Sequence, residues 1–491
     1  MKRQTPLKKS IGVTDTFAEI LVQYATSSSI RATEESKERL KTILIDSFAV
    51  ALAALKHPAA LAARRYASGF VFPQAPCVLW GTSRRINAEA AALCNGVLLR
   101  CHDYNDLYIG RKSWGHPSDI VAALLAIAER HRVSGAAFLE AMAVGYNVTL
   151  ALFDTLPAAE VGWDYSNLTC IAAVCAGARL VGLSPQQTRE ALGIAVIPHF
   201  ASDEIESGNL NARGDLTMWK RFNGGDAMRQ AVYACELAGA GAEGAVLPFE
   251  GRYGFLAKLG MTESSLPTLY KYLGDQLHRT NLDGVVLKRW PVGSRAQSAI
   301  AATLDARREI DNVNDIAAIV VRTTEPVFEH LVRCRPAPWA PNSRETADHS
   351  LPYIVAVAAF DARIGTDSFA PERVLDPALK SLLRMVEVTP DLDEGTETGI
   401  GAFASMVEIR TVDGRIFSGP DLAPAGRLGE ARLRQMVEEK FVDSSKSRMP
   451  AVRAAAALDA LRSLECCQDL RDLGPLLASP HEVSIDHDPE F

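Results

Sequence analysis

Residues 88–131, AEAAALCNGVLLR-CHDYNDLYIGRKSWGHPS-DIVAALLAIAERH, decide how this chain is read. The outer runs are apolar and alanine-rich at helical spacing, and the middle run is charged. The stretch therefore predicts helix, polar loop, helix. Between Arg100 and Asp119 stand His102, Asp103, Asp106, Arg111, Lys112 and His116, with Asn105, Tyr108 and Trp114 among them. A polar loop held by two rigid helices is where site residues tend to sit. His116-Pro117-Ser118 leads into the second helix, with Ser118 the expected cap and Asp119 favourable in its first turn. A histidine fixed ahead of a helix start, with two carboxylates upstream, suits acid/base work.

Working outward, the spacing predicts more helices over 33–55, 134–154 and 170–182, the last rich in Ala and Gly and so able to pack closely. Ser184-Pro185-Gln186-Gln187 reads as a capping box with Pro at the first helical position. Residues 70–87 read as an extended connector. The texture changes near 284: DIAAIVVRTTE (315–325) reads as a strand between helices near 297–309 and 347–363. MVEIRTVDGRIFSG (406–419) alternates around Asp413-Gly414, a hairpin signal. The expected fold is mainly α: a large all-α domain over 1–283, completed by C-terminal helices within 420–491, and a smaller α+β lid domain over 284–419.

A chain of 491 residues exceeds what one core usually supports, and 48% hydrophobic with 23% charged residues describes a globular protein. A net charge of −7 argues against a nucleic-acid partner. The basic N-terminus MKRQTPLKKS is not followed by an apolar core, and no run of 18 apolar residues occurs, so neither a secretory signal nor a membrane partner is expected. None of the nine cysteines (77, 94, 101, 170, 175, 235, 334, 466 and 467) falls in a C-x-x-C pair. Reduced thiols in a cytoplasmic protein are expected, and no iron–sulfur cluster. No H-x-x-x-H or H-E-x-x-H metal signature occurs, the lack of a P-loop or G-x-G-x-x-G leaves nucleotide cofactors unsupported, and there is no G-x-S-x-G elbow.

Five polar knots interrupt apolar surroundings: 100–119, 162–165, 218–221, 287–291 and 344–350. They combine basic groups (Arg111, Lys112, Lys220, Arg221, Lys288, Arg289, Arg295, Arg344) with acid/base candidates (Asp103, His116, Asp164, His349, Tyr353). A site that binds a di- or tricarboxylate and moves a proton beside a carboxylate needs that mixture. Cations clamp the carboxylates and stabilise enolate charge, one group takes the proton, and a second protonates a leaving hydroxyl.

HDYNDLYIGRKSWGHPSD, GWDY, MWKRFNGGDAMRQAV, PFEGRYGF, LKRWP and RETADHSLPYIVAVAAFD, in this order, resemble the MmgE/PrpD family, over about residues 15–470. That family includes 2-methylcitrate dehydratase and cis-aconitate decarboxylase. The resemblance implies a helical domain with a lid, a homodimer, and no metal or organic cofactor. By position it carries over Asp103 and His116 from the first active-site motif. It also carries over Lys220 at a helix start beside the substrate, Lys288 of the lid-side motif, and Tyr353 after the DHS. Departures narrow the choice. The decarboxylase branch has a Thr where this chain has Leu107, a His at Asp164, and another near Gly293. Methylcitrate dehydratases have a His near Arg295. The expected function is a cofactor-independent lyase that removes or adds water on a small polycarboxylate, 2-methylcitrate first. Asp103 or His116 takes the proton, with Asp164, Lys220 and Tyr353 completing the catalytic set. Asp106, Arg111, Lys112, Arg221, Lys288, Arg289, Arg295 and His349 are the expected binding groups. Epimerisation, decarboxylation, and carboxylate binding without catalysis are the alternatives.

Overall fold

The structure is a computed structural model and describes residues 12–206, 211–212, 217–278, 282, 284–393, 403–419 and 428–478. The basic stretch 1–10, residue 283 at the expected domain boundary, and residues 420–427 lie outside the described residues.

The chain opens with α1 (Thr16–Thr26), α2 (Glu34–Ala53), α3 (Pro58–Ala67), α4 (Ala88–Arg100), α5 (Ile120–His131) and α6 (Gly135–Thr155). It continues with α7 (Ser166–Val181), α8 (Pro185–Val196), α9 (Asn223–Gly239), α10 (Phe255–Lys258) and α11 (Leu266–Leu277). Local chemistry fixes many starts: the Thr33, Asn87 and Ser134 side chains cap α2, α4 and α6. Ser184 and Gln187 form the expected capping box. Two short hairpins interrupt this helical set, β1 (Cys77–Val78) with β2 (Arg85–Ile86), and β3 (Tyr108–Ile109) with β4 (Trp114–Gly115). The expected extended connector thus turns back on itself. Helix α6 is long and apolar enough to cross a membrane, yet it packs inside the protein core with Tyr146, Val148 and Leu152 buried.

One crossing places the site. Helices α4 and α9 touch through Gly96 and Gly225; a Cβ on Gly96 would stand 2.7 Å from the Gly225 Cα, so only glycine permits the approach. The C-terminal end of α4 consequently lies beside the start of α9, where the Arg221 guanidinium donates to the Arg100 carbonyl at 3.5 Å.

Beyond Lys288 come α12 (Gln297–Arg307), β5 (Ile316–Thr323), α13 (Glu325–Phe328), α14 (Arg344–Ala347), α15 (Leu351–Asp361), α16 (Pro371–Val374) and α17 (Pro377–Leu383). Strands β6 (Val386–Thr389), β7 (Ser405–Thr411) and β8 (Ile416–Gly419) complete a four-stranded sheet of order β6-β5-β7-β8. β5 runs parallel to β6, with Ile319 opposite Val386, and antiparallel to β7, with Ile319 opposite Ile409. Ile319, Val321, Val407 and Ile409 are buried, the two-residue alternation of a sheet with one face covered. Gly414 (φ +84°) turns the hairpin expected at Asp413-Gly414.

The buried apolar residues form two clusters. One runs from Phe17 to Leu287 and takes in α18 (Glu430–Ser445), α19 (Ala451–Arg462) and α20 (Leu473–Leu477). The other runs from Trp290 to Ile409. The molecule is therefore mainly α with a smaller α+β portion. Helix α18 returns to α2 and inserts Lys440, whose Nζ meets Asp46 at 2.8 Å and donates to the carbonyls of Tyr104 (2.9 Å) and Lys288 (3.2 Å).

Candidate active site

The loop after α4 is stitched to the segment that carries Lys288. Leu107 and Val286 exchange both backbone hydrogen bonds at 2.8 Å, although they are far apart in sequence. Asp103 adopts the left-handed conformation (φ +46°), in which an Asp is tolerated better than most residues. A 3-10 turn over Pro117–Asp119 then leads into α5. Ser118 does not cap this helix with its own side chain. The Asp106 carboxylate takes the Ser118 N–H at 3.0 Å, and the Ser118 hydroxyl instead accepts from Asn105. A buried carboxylate supplied from twelve residues upstream displaces the local cap.

A cleft of about 170 Å³ opens between the two apolar clusters. Asp103, His116, Asp164 and Lys220 line it from the helical side, and Lys288, Arg295 and His349 from the α+β side. Apolar walls come from Leu107, Ile109, Trp163, Leu331 and Phe403, with the Arg295 guanidinium 4.7 Å over the Phe403 ring.

Two charge constellations face this cleft. In the first, Lys288 Nζ donates to the Asp103 carbonyl (2.7 Å) and to its Oδ1 (3.0 Å). Arg100 and the Nε2 of His116 each lie 3.5 Å from the same Oδ1. Burial works to raise the Asp103 pKa, but the Lys288 ammonium and the Arg100 guanidinium outweigh it and hold the carboxyl well below its usual range. Burial pushes the Lys288 ammonium down to about 8, against the pull of Asp103. His116 directs Nδ1 at the Asp106 carbonyl, which only accepts, so the proton of the neutral ring sits on Nδ1 and Nε2 is free to accept. Burial, Arg100 and Lys288 keep this imidazole neutral.

The second constellation is a relay. Arg221 donates to Asp348 at 3.1 Å, Asp348 accepts from Nδ1 of His349, and Nε2 of His349 meets Lys220 Nζ at 3.1 Å. The carboxylate fixes the His349 tautomer, so Nε2 is the acceptor for the ammonium. His349 and Arg221 hold Asp348 ionised against its burial.

Other residues singled out in the sequence lie elsewhere. Asp106 is fully buried between Ser118 and the Tyr146 hydroxyl (3.0 Å), and burial pushes it up to about 6. It anchors the loop, and does not line the cleft. The Tyr353 hydroxyl donates to the Ser368 carbonyl at 2.7 Å inside the second cluster. Arg221 acts through Asp348. Arg111, Lys112 and Arg289 are exposed and do not line the cleft: Arg111 stands over Tyr272, Lys112 beside Glu160, and Arg289 over its neighbour Trp290. Asp164 does line the cleft, and its Oδ1 takes the Ser166 N–H at 2.8 Å, which opens α7.

The cleft also contains residues the sequence did not single out. Arg100 ends α4 and is buried against Asp103 and Asn105. Tyr165 packs edge-on to His116 with ring centroids 5.5 Å apart, and its hydroxyl donates to Asp119, whose carboxyl burial pushes up to about 7. His330 enters from a π-helical turn over Glu329–Arg333. The tyrosine of GWDY was a signal within reach; His330 stands in no recognisable pattern. Among the described residues, no group of three or more His, Cys, Asp or Glu is placed to hold a metal ion.

This two-sided arrangement coincides with two family models. Residues 19–265 match the MmgE/PrpD N-terminal domain and residues 290–465 the MmgE/PrpD C-terminal domain. The chain belongs to the MmgE/PrpD family. Among its relatives is a 2-methylcitrate dehydratase of Cupriavidus necator, 24% identical over 90% of this chain and 92% of the relative. A cis-aconitate decarboxylase-like protein of Aspergillus oryzae is 28% identical over 70% and 73%, and the human cis-aconitate decarboxylase 25% identical over 83% of each chain. Both MmgE/PrpD domains contribute to the cleft: Asp103, His116 and Lys220 fall within the first match, and Arg295 and His349 within the second.

Proposed function

We propose that this MmgE/PrpD protein is a homodimeric hydro-lyase that removes water from a small hydroxy-polycarboxylate, with 2-methylcitrate as the first candidate, using side chains alone. The observation that carries the proposal is the pairing of a neutral His116, Nε2 free to accept, with Lys288 and Lys220 in one cleft. Support for the substrate class comes from relatives named as 2-methylcitrate dehydratases.

In this mechanism substrate carboxylates bind Arg295, Lys288 and Lys220. His116 Nε2 takes the proton α to a carboxylate, and Asp103 at 3.5 Å stabilises the imidazolium that forms. Lys288 stabilises the charge that develops on the carboxylate. The C–H pair becomes the new C=C bond and the C–O bond breaks. Lys220 delivers a proton to the departing hydroxyl, which leaves as water, and the relay from Asp348 through His349 holds the Lys220 ammonium in place for that transfer. The proton on His116 returns to Lys220 through solvent, which restores the protein. Asp164 orients the bound substrate.

The test is absorbance of the unsaturated product from 2-methylcitrate, citrate and related hydroxy acids. A folded protein that turns over none of them refutes the hydro-lyase. Relatives named for cis-aconitate decarboxylation make release of CO₂ from cis-aconitate the second reading. Leu107 and Asp164 weigh against it, and CO₂ release without water loss would favour it.

A further inference from the structure

We propose that His330 is a substrate-contact residue whose Nδ1–H, presented from the π-helical turn Glu329–Arg333, donates a hydrogen bond to a carboxylate oxygen of the bound polycarboxylate. The inference rests on the polycarboxylate reading above and adds a specificity-determining group to it.

The Arg335 guanidinium lies 3.0 Å from Nε2 of His330, and a guanidinium only donates. Nε2 is therefore the acceptor, and the neutral ring must carry its hydrogen on Nδ1. That nitrogen has no hydrogen-bond partner among the described residues, and the residue lines the cleft. Burial, Arg295 and Arg335 all oppose protonation, with His349 and Lys220 adding to them, so the ring stays neutral. It can neither repel the neighbouring cations as a charge nor take a proton at Nδ1. What it offers the cleft is one fixed N–H. The oxygen those cations attract is a carboxylate, and a neutral donor beside them adds direction without further charge. Arg335 is then a positioning residue, which acts through the imidazole. π-Turns recur at functional positions, and this one turns a histidine of the smaller domain inward.

Three variants test it. His330→Ala should raise KM for 2-methylcitrate roughly tenfold with kcat changed less, as for a lost hydrogen bond to a charged group. His330→Asn places an amide N–H where Nδ1–H stood and should recover most of the loss. Arg335→Met frees the tautomer and removes a cation, so 1/KM should gain an ionisation nearer neutral pH that the wild type lacks. An unchanged KM in His330→Ala, or an Asn variant no better than Ala, overturns the inference. Calorimetry with citrate separates it from the dehydratase reading. Binding without turnover of any hydroxy acid removes only the dehydratase, equal citrate affinity in wild type and His330→Ala removes only the His330 contact, and no binding by wild type removes both.

Discussion

Replacing Lys288 with Met removes the closest cation from a buried carboxylate while keeping most of the apolar stem. Two hydrogen bonds disappear, to the Asp103 carbonyl at 2.7 Å and to Oδ1 at 3.0 Å. Breaking a buried pair by deleting one partner typically costs about 3–5 kcal/mol. The low end applies, because the Arg100 guanidinium remains 3.5 Å from Oδ1 and the cost of burying the ammonium goes with Lys288. About 3 kcal/mol corresponds to a rise of about two units in the Asp103 pKa. The sign follows from linkage. A carboxyl held below its unfolded value stabilises the protein above about pH 4 and loses that contribution as pH falls through the folded value. Urea unfolding should therefore separate variant from wild type by about 3 kcal/mol at pH 7, and the gap should close below about pH 4. In turnover assays KM should rise roughly tenfold or more. A Lys288→Met protein with wild-type stability at pH 7 and wild-type KM would refute the reasoning.

Burial lowers the pKa of His57 (to about 3), His102, His116, His199, His330 and His349. These rings take up protons in the unfolded chain before the folded one, so stability should fall steeply as pH drops below about 6.5, by about 1.4 kcal/mol per proton per pH unit; unfolding midpoints between pH 7.5 and 5.5 check this. Asp348→Asn breaks the relay and leaves Arg221 without its buried anion. It should lower kcat by roughly 10²-fold or more, with KM changed less, in a steady-state assay on protein shown folded by circular dichroism. Tyr353→Phe should lose about 1 kcal/mol of stability and keep full activity, since its hydroxyl serves the Ser368 carbonyl; a large loss of kcat would return it to the catalytic set.

The fold class was legible because helical spacing and caps are local. Asn87, Ser134 and Ser184 act where their residue types say they should. Asp103 and His116 were legible for the same reason, since they flank one polar loop. What stayed hidden depends on chain partners far away. Asp106 and Asp103 look alike in D-Y-N-D, yet Tyr146 draws one inward and Lys288 draws the other to the cleft. Lys-Arg pairs divide likewise. Lys220 and Lys288 face the cleft, whereas Arg221 turns to Asp348 and Arg289 to solvent. Arg100 stayed hidden because nothing in sequence places α9 against α4. That contact depends on Gly96 meeting Gly225.

Lys440 carries a consequence for biosynthesis. Its ammonium joins Asp46, Tyr104 and Lys288, and it is synthesised 394 residues after the first of these and 152 after the last. The ribosome therefore completes every cleft residue named above well before it makes the side chain that braces their backbone. Until α18 docks, Asp46 has no counter-charge from the tail, and the Tyr104 and Lys288 carbonyls lack a shared donor. Activity should appear on a translating chain only after this late helix has emerged, so the order of synthesis, and not the order of residues in the cleft, sets when the protein becomes competent.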